Sequence, residues 1–422
     1  MKIEIINTGS ELMLGRVLNT HQQFLCRQLA DLGYVVERQT TVPDTAESIR
    51  QAVAEALSRS GLIIVTGGLG PTSDDRTRDV IAQLVGRPLL EDRALREMIE
   101  GFFAVRKRAV PSSSLVQALV PERTLVLPNA FGTAPGLVME VDPLVPGGTA
   151  RLLVMLPGPP RELRPMFSKQ VVPILHERFP LENEFVCRTL RTTGLGESFL
   201  EEKIDAPLQG LLHGGLELGY CARSGEVDVR LVAQGPNAKE TVAEAERIVR
   251  SLVGDLIFGC DDERLESNLV RSLTERKQTL ALAESCTGGF LANRITNVPG
   301  ASAVFLGGLV TYSNAAKQTF LGVQAATLSQ HGAVSEATAQ EMAEGARARV
   351  GADYALSVTG IAGPAGAVEG KPVGTVFIGL ASERGTLVRR FQNAYDRETF
   401  KYVSSQQALE MLRRSLAGIA AK

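Results

Sequence analysis

Two short apolar runs, each ending at a glycine-rich turn, constrain this chain more than any other feature. In the first, Gly61-Leu62-Ile63-Ile64-Val65 leads into Thr66-Gly67-Gly68-Leu69-Gly70-Pro71-Thr72-Ser73-Asp74-Asp75-Arg76-Thr77. In the second, Leu280-Ala281-Leu282-Ala283 leads into Glu284-Ser285-Cys286-Thr287-Gly288-Gly289, and apolar residues then recur at helical spacing through Phe290, Leu291 and Ile295. A short unbroken apolar run is what a strand buried on both faces requires. A strand that feeds a glycine turn and then a helix belongs to an α/β fold with a parallel sheet, and ligands gather outside the carboxyl ends of its strands.

The rest of the chain divides around these two units. Residues 1–172 alternate between strand and helix: Ile3 to Asn7, Tyr34 to Thr41 and Gly61 to Val65 read as strands, Asn19 to Leu32 and Ala46 to Ser58 as helices. That alternation predicts a doubly wound, mainly parallel sheet. Residues 173–256 read as a small α+β module, with strands at Glu184 to Thr193, Leu216 to Cys221 and a cleanly alternating Val227 to Ala233, then an amphipathic helix at Val242 to Val253. A new α/β alternation occupies 260–422, beyond Asp261-Asp262-Glu263, which reads as a solvated linker. A chain of 422 residues is too long for one core and fits this division.

Composition excludes several classes of function. A net charge of −2 provides no global basic field, so charge does not predict a nucleic-acid partner, although net charge leaves a local basic patch open. The five cysteines and four histidines are dispersed, with no CxxC pair, against a disulfide scaffold or a zinc centre built from His and Cys. No apolar stretch reaches the roughly 18 to 20 residues of a membrane span. Met1-Lys2-Ile3-Glu4-Ile5-Ile6 reads as strand, without the apolar core of a signal peptide, so a cytoplasmic protein is expected.

In the N-terminal part, Gly67, Gly68 and Gly70 let backbone approach a phosphate closely. Asp74 and Asp75, read as opening the next helix, are either caps or ligands of a divalent metal, because hard cations choose carboxylate oxygen. Three further turns follow strand ends: Thr8-Gly9-Ser10-Glu11, Pro128-Asn129-Ala130-Phe131-Gly132-Thr133-Ala134-Pro135-Gly136, and Leu156-Pro157-Gly158-Pro159-Pro160-Arg161-Glu162. Ser10, Thr72, Asn129 and Gly158 are therefore candidate substrate contacts. Glu11 is a further candidate metal ligand, and Glu162 another acid at the same border.

These motifs carry a resemblance. Thr66 to Thr77, Gly9-Ser-Glu-Leu12 and Leu156-Pro-Gly-Pro-Pro160 resemble the N-terminal half of CinA proteins, which is similar to molybdopterin-binding domains. Ala283-Glu-Ser-Cys-Thr-Gly-Gly289, Thr359-Gly-Ile-Ala-Gly-Pro364 and Val373-Gly-Thr-Val376 resemble the same family's amidohydrolase domain. The resemblance implies a metal-dependent ADP-ribose pyrophosphatase in the first domain. Co²⁺, Mn²⁺ and Mg²⁺ are the metals that suit its oxygen ligands. The resemblance implies deamidation of nicotinamide mononucleotide in the last domain, without a cofactor, and a homodimer. The first scaffold also serves molybdenum cofactor biosynthesis, and the family name points to a regulatory protein of competence or DNA damage; both remain rival readings.

For the C-terminal site the resemblance implies a serine nucleophile assisted by a tyrosine and a lysine, here Ser285, Tyr312 and Lys317. A serine hydroxyl is a weak nucleophile until a base takes its proton, and no histidine lies in these motifs. Either Lys317 lowers the pKa of the Tyr312 phenol, or a desolvated neutral Lys317 acts directly. Cys286 is a rival nucleophile at a helix start that favours a thiolate. The backbone N–H groups of Thr287, Gly288 and Gly289 are candidates for an oxyanion hole or a phosphate cradle. Thr359, Gly360 and Gly363 form a second cradle, and the planar fork of Arg397 suits a phosphate.

Overall fold

A computed structural model of the chain describes residues 2–142 and 150–419. The chain forms two compact units, Met1–Val186 and Cys187–Lys422.

The first unit holds strands β1 (Ile3–Thr8), β2 (Val36–Val42), β3 (Leu62–Thr66), β4 (Leu89–Glu91), β5 (Leu119–Pro121), β6 (Leu125–Leu127), β7 (Gly136–Val141) and β8 (Arg151–Leu156). Six of them make one sheet in the order β2-β1-β3-β8-β7-β6, while β4 and β5 pair separately. The strands β2, β1, β3 and β8 run parallel. The sheet is closed at one edge by β7 and β6, which are antiparallel. Residues 128–135 between β6 and β7 are too few for a crossover helix, and a short link returns the chain antiparallel.

Alternation across the pleat explains why β3 is apolar throughout. Ile63 and Val65 enter one core with Ile6, Leu153 and Met155, covered by the helices Ala46–Arg59, Thr77–Leu84 and Arg93–Val105. Leu62 and Ile64 enter the opposite core with Ile3, Ile5 and Val154, under Leu25 and Leu29 of the helix Thr20–Asp31. Every residue of β3 is buried, as a strand sandwiched between two helical layers requires.

The second unit begins with a four-stranded sheet, β10-β11-β9-β12, built from β9 (Phe185–Thr193), β10 (Glu217–Arg223), β11 (Glu226–Gln234) and β12 (Ile257–Cys260). Beside the expected helix, found at Ala238–Val253, lies a second at Glu197–His213 that the sequence reading lacks. Pro207 and Gly210 obscure its pattern, although Leu200, Ile204 and Leu208 fall four residues apart and are all buried. The clean alternation of β11 suggests a solvated polar face, and here the structure differs. Glu226 and Asp228 are buried because Arg191 of β9 donates to both, at 2.7 and 3.1 Å. The acidic linker is also tied down: Asp261 accepts the Thr189 N–H at 3.0 Å, and Glu263 accepts Arg271 at 2.7 Å.

The remainder of this unit is a five-stranded sheet, β14-β13-β15-β16-β17. Its strands are β13 (Leu280–Glu284), β14 (Phe305–Val310), β15 (Tyr354–Gly360), β16 (Thr375–Ser382) and β17 (Gly385–Gln392). The first three are parallel and the last two antiparallel. Along β13, Leu280 and Leu282 face one core and Ala281 and Ala283 the other. The small alanines leave room for Met342, Ala343 and Ala346 of the helix Glu336–Val350. The protein is thus an α/β chain with a doubly wound first domain, a small middle module and a second α/β domain. No helix among the described residues is long and apolar enough to cross a membrane.

Candidate active sites

In the first unit, β1, β3 and β8 end side by side, and their turns enclose a cavity of about 590 Å³. Gly67 donates its N–H to the Leu156 carbonyl at 3.0 Å, joining the turn after β3 to the end of β8. With φ of 94° and room for a Cβ only 2.7 Å from the Thr8 carbonyl, this position admits glycine alone. The cavity is lined by Gly67, Gly68, Gly70, Gly158, Glu11, Asp74 and Asp75, all anticipated from the sequence. Asp44, Gln117 and Glu162 also line it. Asp44 was legible by the same rule, since it follows the end of β2.

Several anticipated contacts turn inward instead. Ser10 and Asp44 bond reciprocally: the Ser10 N–H donates to the Asp44 carboxylate at 2.8 Å, and the Asp44 N–H to the Ser10 hydroxyl at 3.3 Å. Thr72 donates both its N–H and its hydroxyl to the Asp75 carboxylate, at 3.0 and 2.6 Å. Asn129 is buried, donating to Glu162 and to the Ala134 carbonyl, each at 2.8 Å. These three side chains shape loops. The helix expected to open at Asp74 starts at Thr77, so neither aspartate caps it. Asp75 closes a turn, and Asp74 stands exposed on the cavity side.

No group of three or more His, Cys, Asp or Glu that could hold a metal occurs among the described residues. The carboxylates therefore do not fit an all-protein cage. They do fit a cation held by one or two carboxylates and completed by phosphate oxygens and water, as Mg²⁺ commonly is. His21, which the sequence left unassigned, bonds through a ring nitrogen to the Gly158 carbonyl. Burial pushes its pKa down, and the neutral ring secures the turn.

In the second unit the site forms at the carboxyl ends of three parallel strands. The Ser285 N–H donates to Val358 of β15 at 2.9 Å, and the Thr311 N–H donates to Glu284 of β13 at 2.8 Å. Lys317, on the helix Asn314–Leu321, is 1% exposed. Its Nζ lies 2.9 Å from Ser285 Oγ, 2.8 Å from the Thr311 carbonyl and 3.5 Å from the Tyr312 carbonyl. Desolvation lowers its pKa from the ordinary lysine value, which favours the neutral amine.

The Tyr312 phenol is engaged by Arg397. Its hydroxyl accepts from Arg397 Nη2 at 2.8 Å, while Nη1 of the same guanidinium donates to the Gly363 carbonyl at 2.8 Å. Of the two ways in which Lys317 serves the site, the geometry favours direct contact with Ser285 over action through the phenol. Arg397, exposed at the start of the helix Arg397–Ala417, gathers Tyr312 and the Gly363 turn. Thr359 donates to the Ala333 carbonyl at 2.7 Å, and Gly360 ends β15 where a Cβ would meet the Thr375 carbonyl at 2.8 Å. These two hold the second turn against its neighbours.

The anion cradle is narrower than the sequence suggests. The Gly289 N–H donates to Glu284 at 3.0 Å, and the Gly288 N–H to the Ser285 carbonyl at 3.2 Å. The buried Glu284 carboxylate also accepts from Leu291 and Ala292, at 3.0 and 2.8 Å, and so caps the following helix. Those N–H groups are engaged, in place of the free donors expected from the glycines. Two buried hydroxyls, Thr287 Oγ1 and Thr311 Oγ1, have no hydrogen-bond partner among the described residues. Cys286 packs into the apolar core, and burial pushes its thiol up to about 12. A thiol held protonated at neutral pH is a poor nucleophile, and this burial favours Ser285 over Cys286.

Known proteins show the same arrangement of parts. Residues 4–177 match the family described as Probable molybdopterin binding domain, 187–259 the Damage-inducible protein CinA KH domain, and 262–416 the CinA C-terminal domain. A competence-damage inducible protein of Moorella thermoacetica is 44% identical over 421 residues, covering 99% of each chain. A CinA-like protein of Kosmotoga olearia is 41% identical over 420 residues, again covering 99% of each. Among solved structures, the competence damage-inducible protein A from Klebsiella pneumoniae is 41% identical, covering 36% of this chain and 95% of that one with a TM-score of 0.36. With identity sustained from end to end through all three parts, the chain belongs to the CinA family of competence-damage inducible proteins.

Proposed function

We propose that the protein is a bifunctional hydrolase of pyridine-nucleotide breakdown products. Its C-terminal domain deamidates nicotinamide mononucleotide to nicotinic acid mononucleotide, and its N-terminal domain cleaves ADP-ribose to AMP and ribose 5-phosphate. The observation that carries the first activity is the 2.9 Å contact between Ser285 Oγ and the buried Lys317 Nζ. A neutral amine has two N–H donors and one lone pair. The carbonyls of Thr311 and Tyr312 only accept, so they take the donors and turn the lone pair to the Ser285 hydroxyl.

Lys317 then removes the hydroxyl proton as Ser285 Oγ adds to the amide carbonyl. The proton passes to the departing nitrogen, ammonia leaves, and an acyl-serine ester remains. Water, deprotonated by the same amine, attacks that ester and releases the carboxylate and the free hydroxyl. Arg397 uses two of its five N–H groups on Tyr312 and Gly363, leaving the others for the nucleotide phosphate.

In the N-terminal cavity the glycine turn brings backbone close to the diphosphate, and Asp74 and Glu11 are the carboxylates that would hold a divalent cation. Such a cation supplies charge neutralisation on the phosphates. Release of ammonia from nicotinamide mononucleotide and of AMP from ADP-ribose, each followed with the purified full chain and added Mg²⁺, Mn²⁺ or Co²⁺, tests both assignments. Failure of either substrate to turn over removes that half of the proposal. The match of residues 4–177 to a molybdopterin binding domain supports a second reading of the first cavity. It predicts affinity for a pterin and no ADP-ribose turnover.

A further inference from the structure

Gln117 sits in the short turn Val116–Ala118 and is 1% exposed, yet it lines the N-terminal cavity. Its Nε2 donates to the Leu69 carbonyl at 3.1 Å, in the middle of the glycine turn. Because a carbonyl only accepts, this bond settles which end of the amide carries nitrogen. The other end, Oε1, is buried with no hydrogen-bond partner among the described residues. Proteins rarely leave a buried acceptor unmet, and on a residue of the cavity wall a donor from a bound molecule would meet it.

The molecule that meets it must offer an N–H or O–H, since a phosphate oxygen facing Oε1 places acceptor against acceptor. The adjoining wall is aromatic. Phe102 and Phe103 line the cavity, with ring centroids 5.8 Å apart in an edge-to-face pair. Arg106 lies over Phe102 at 3.5 Å, which holds that ring in place. An aromatic wall beside a lone acceptor suits a flat heterocycle with an exocyclic amine at its edge.

Resting on the ADP-ribose reading of this cavity, we infer that Gln117 is its base-specificity residue, with Oε1 accepting the exocyclic amine of an aminopurine. The phosphates then lie away from Oε1, along the glycine turn and towards Asp74. Gln117 contributes recognition and no chemistry.

The test is calorimetric binding of AMP, of purine riboside 5′-monophosphate (hydrogen in place of the amine) and of 2′-deoxy-AMP to the full chain. Wild type is expected to bind AMP at least about tenfold tighter than the purine riboside analogue, because that analogue leaves the buried acceptor unpaired. Gln117→Met is expected to bind AMP and the analogue equally, whatever the loss of the Leu69 bond costs both. Equal wild-type affinities for the two would overturn the inference without recourse to any variant. So would a preference that survives Gln117→Met, or a loss that falls on 2′-deoxy-AMP instead. ADP-ribose turnover without base discrimination defeats this inference alone. Binding of a pterin with no AMP affinity and no turnover defeats it together with the pyrophosphatase assignment.

Discussion

The two candidate sites rest on the same scaffold rule and are prepared in opposite ways. Both lie at the carboxyl ends of parallel strands, where successive turns converge. In the C-terminal site the candidate pair is already assembled, with the buried Lys317 Nζ against the Ser285 hydroxyl and two backbone carbonyls. In the N-terminal cavity the carboxylates face a shared space but are engaged by their own loops or exposed, as with Thr72 on Asp75 and Ser10 on Asp44. Amide chemistry needs a nucleophile activated before the substrate arrives. Cleavage of a diphosphate needs positive charge, and the substrate itself helps to bind the cation that brings it.

The sharpest break between the sites is Ser285→Ala. Ammonia release should fall by about 10⁴-fold or more, as removing a nucleophile commonly does, with ADP-ribose cleavage intact. Loss of both activities would end the two-site account. The acid limb of the pH profile comes next. Below the Lys317 pKa only the neutral fraction is active, so ammonia release should rise roughly tenfold per pH unit. Because burial lowers that pKa from 10.5, the rise should level off below pH 10.5. A limb centred at or above that value would return the base role to another group.

Asp74→Ala should cut ADP-ribose cleavage by about 10²-fold and leave ammonia release unchanged, measured at saturating Mg²⁺. Asp74 is the cleaner choice than Asp75, whose loss would also release the Thr72 turn. For Arg397→Lys the expectation is a KM for nicotinamide mononucleotide raised by about tenfold with kcat little affected, since a lysine cannot reproduce the planar fork. A large fall in kcat alone would give Arg397 and Tyr312 a part in the chemistry. The smallest effect is expected for Cys286→Ala: ammonia release within about twofold of wild type, with a stability cost of about 1 kcal/mol from lost packing, read by urea denaturation.

How far each site was legible follows from the range of the interactions involved. The glycines at 67, 68, 70 and 158, and the acids Glu11, Asp74 and Asp75, could be found because each lies just past an apolar run. Ser10, Thr72 and Asn129 were found by the same rule, and their polar groups went to neighbours within the loops. A strand-end position states that a side chain is near the site and leaves open which way it turns. Gln117 and His21 carry no local signal: each reaches its partner across a long stretch of chain, Leu69 for the one and Gly158 for the other. The helix Glu197–His213 escaped notice because Pro207 and Gly210 interrupt its interior, while packing of Leu200, Ile204 and Leu208 overrides that local cost.

The sequence by itself determined the α/β class and the positions of the strand-ending glycine turns, because apolar periodicity and turn chemistry are local properties of the chain, while Ser285 and Lys317 were singled out by the family resemblance of their motifs. Tertiary structure decided which candidates meet. Only packing could bury Lys317 against Ser285, direct the Tyr312 phenol to Arg397, and seal Cys286 in a core that keeps its thiol protonated. Protonation state depends on desolvation and on partners brought together from distant parts of the chain, and these exist only once the chain has folded.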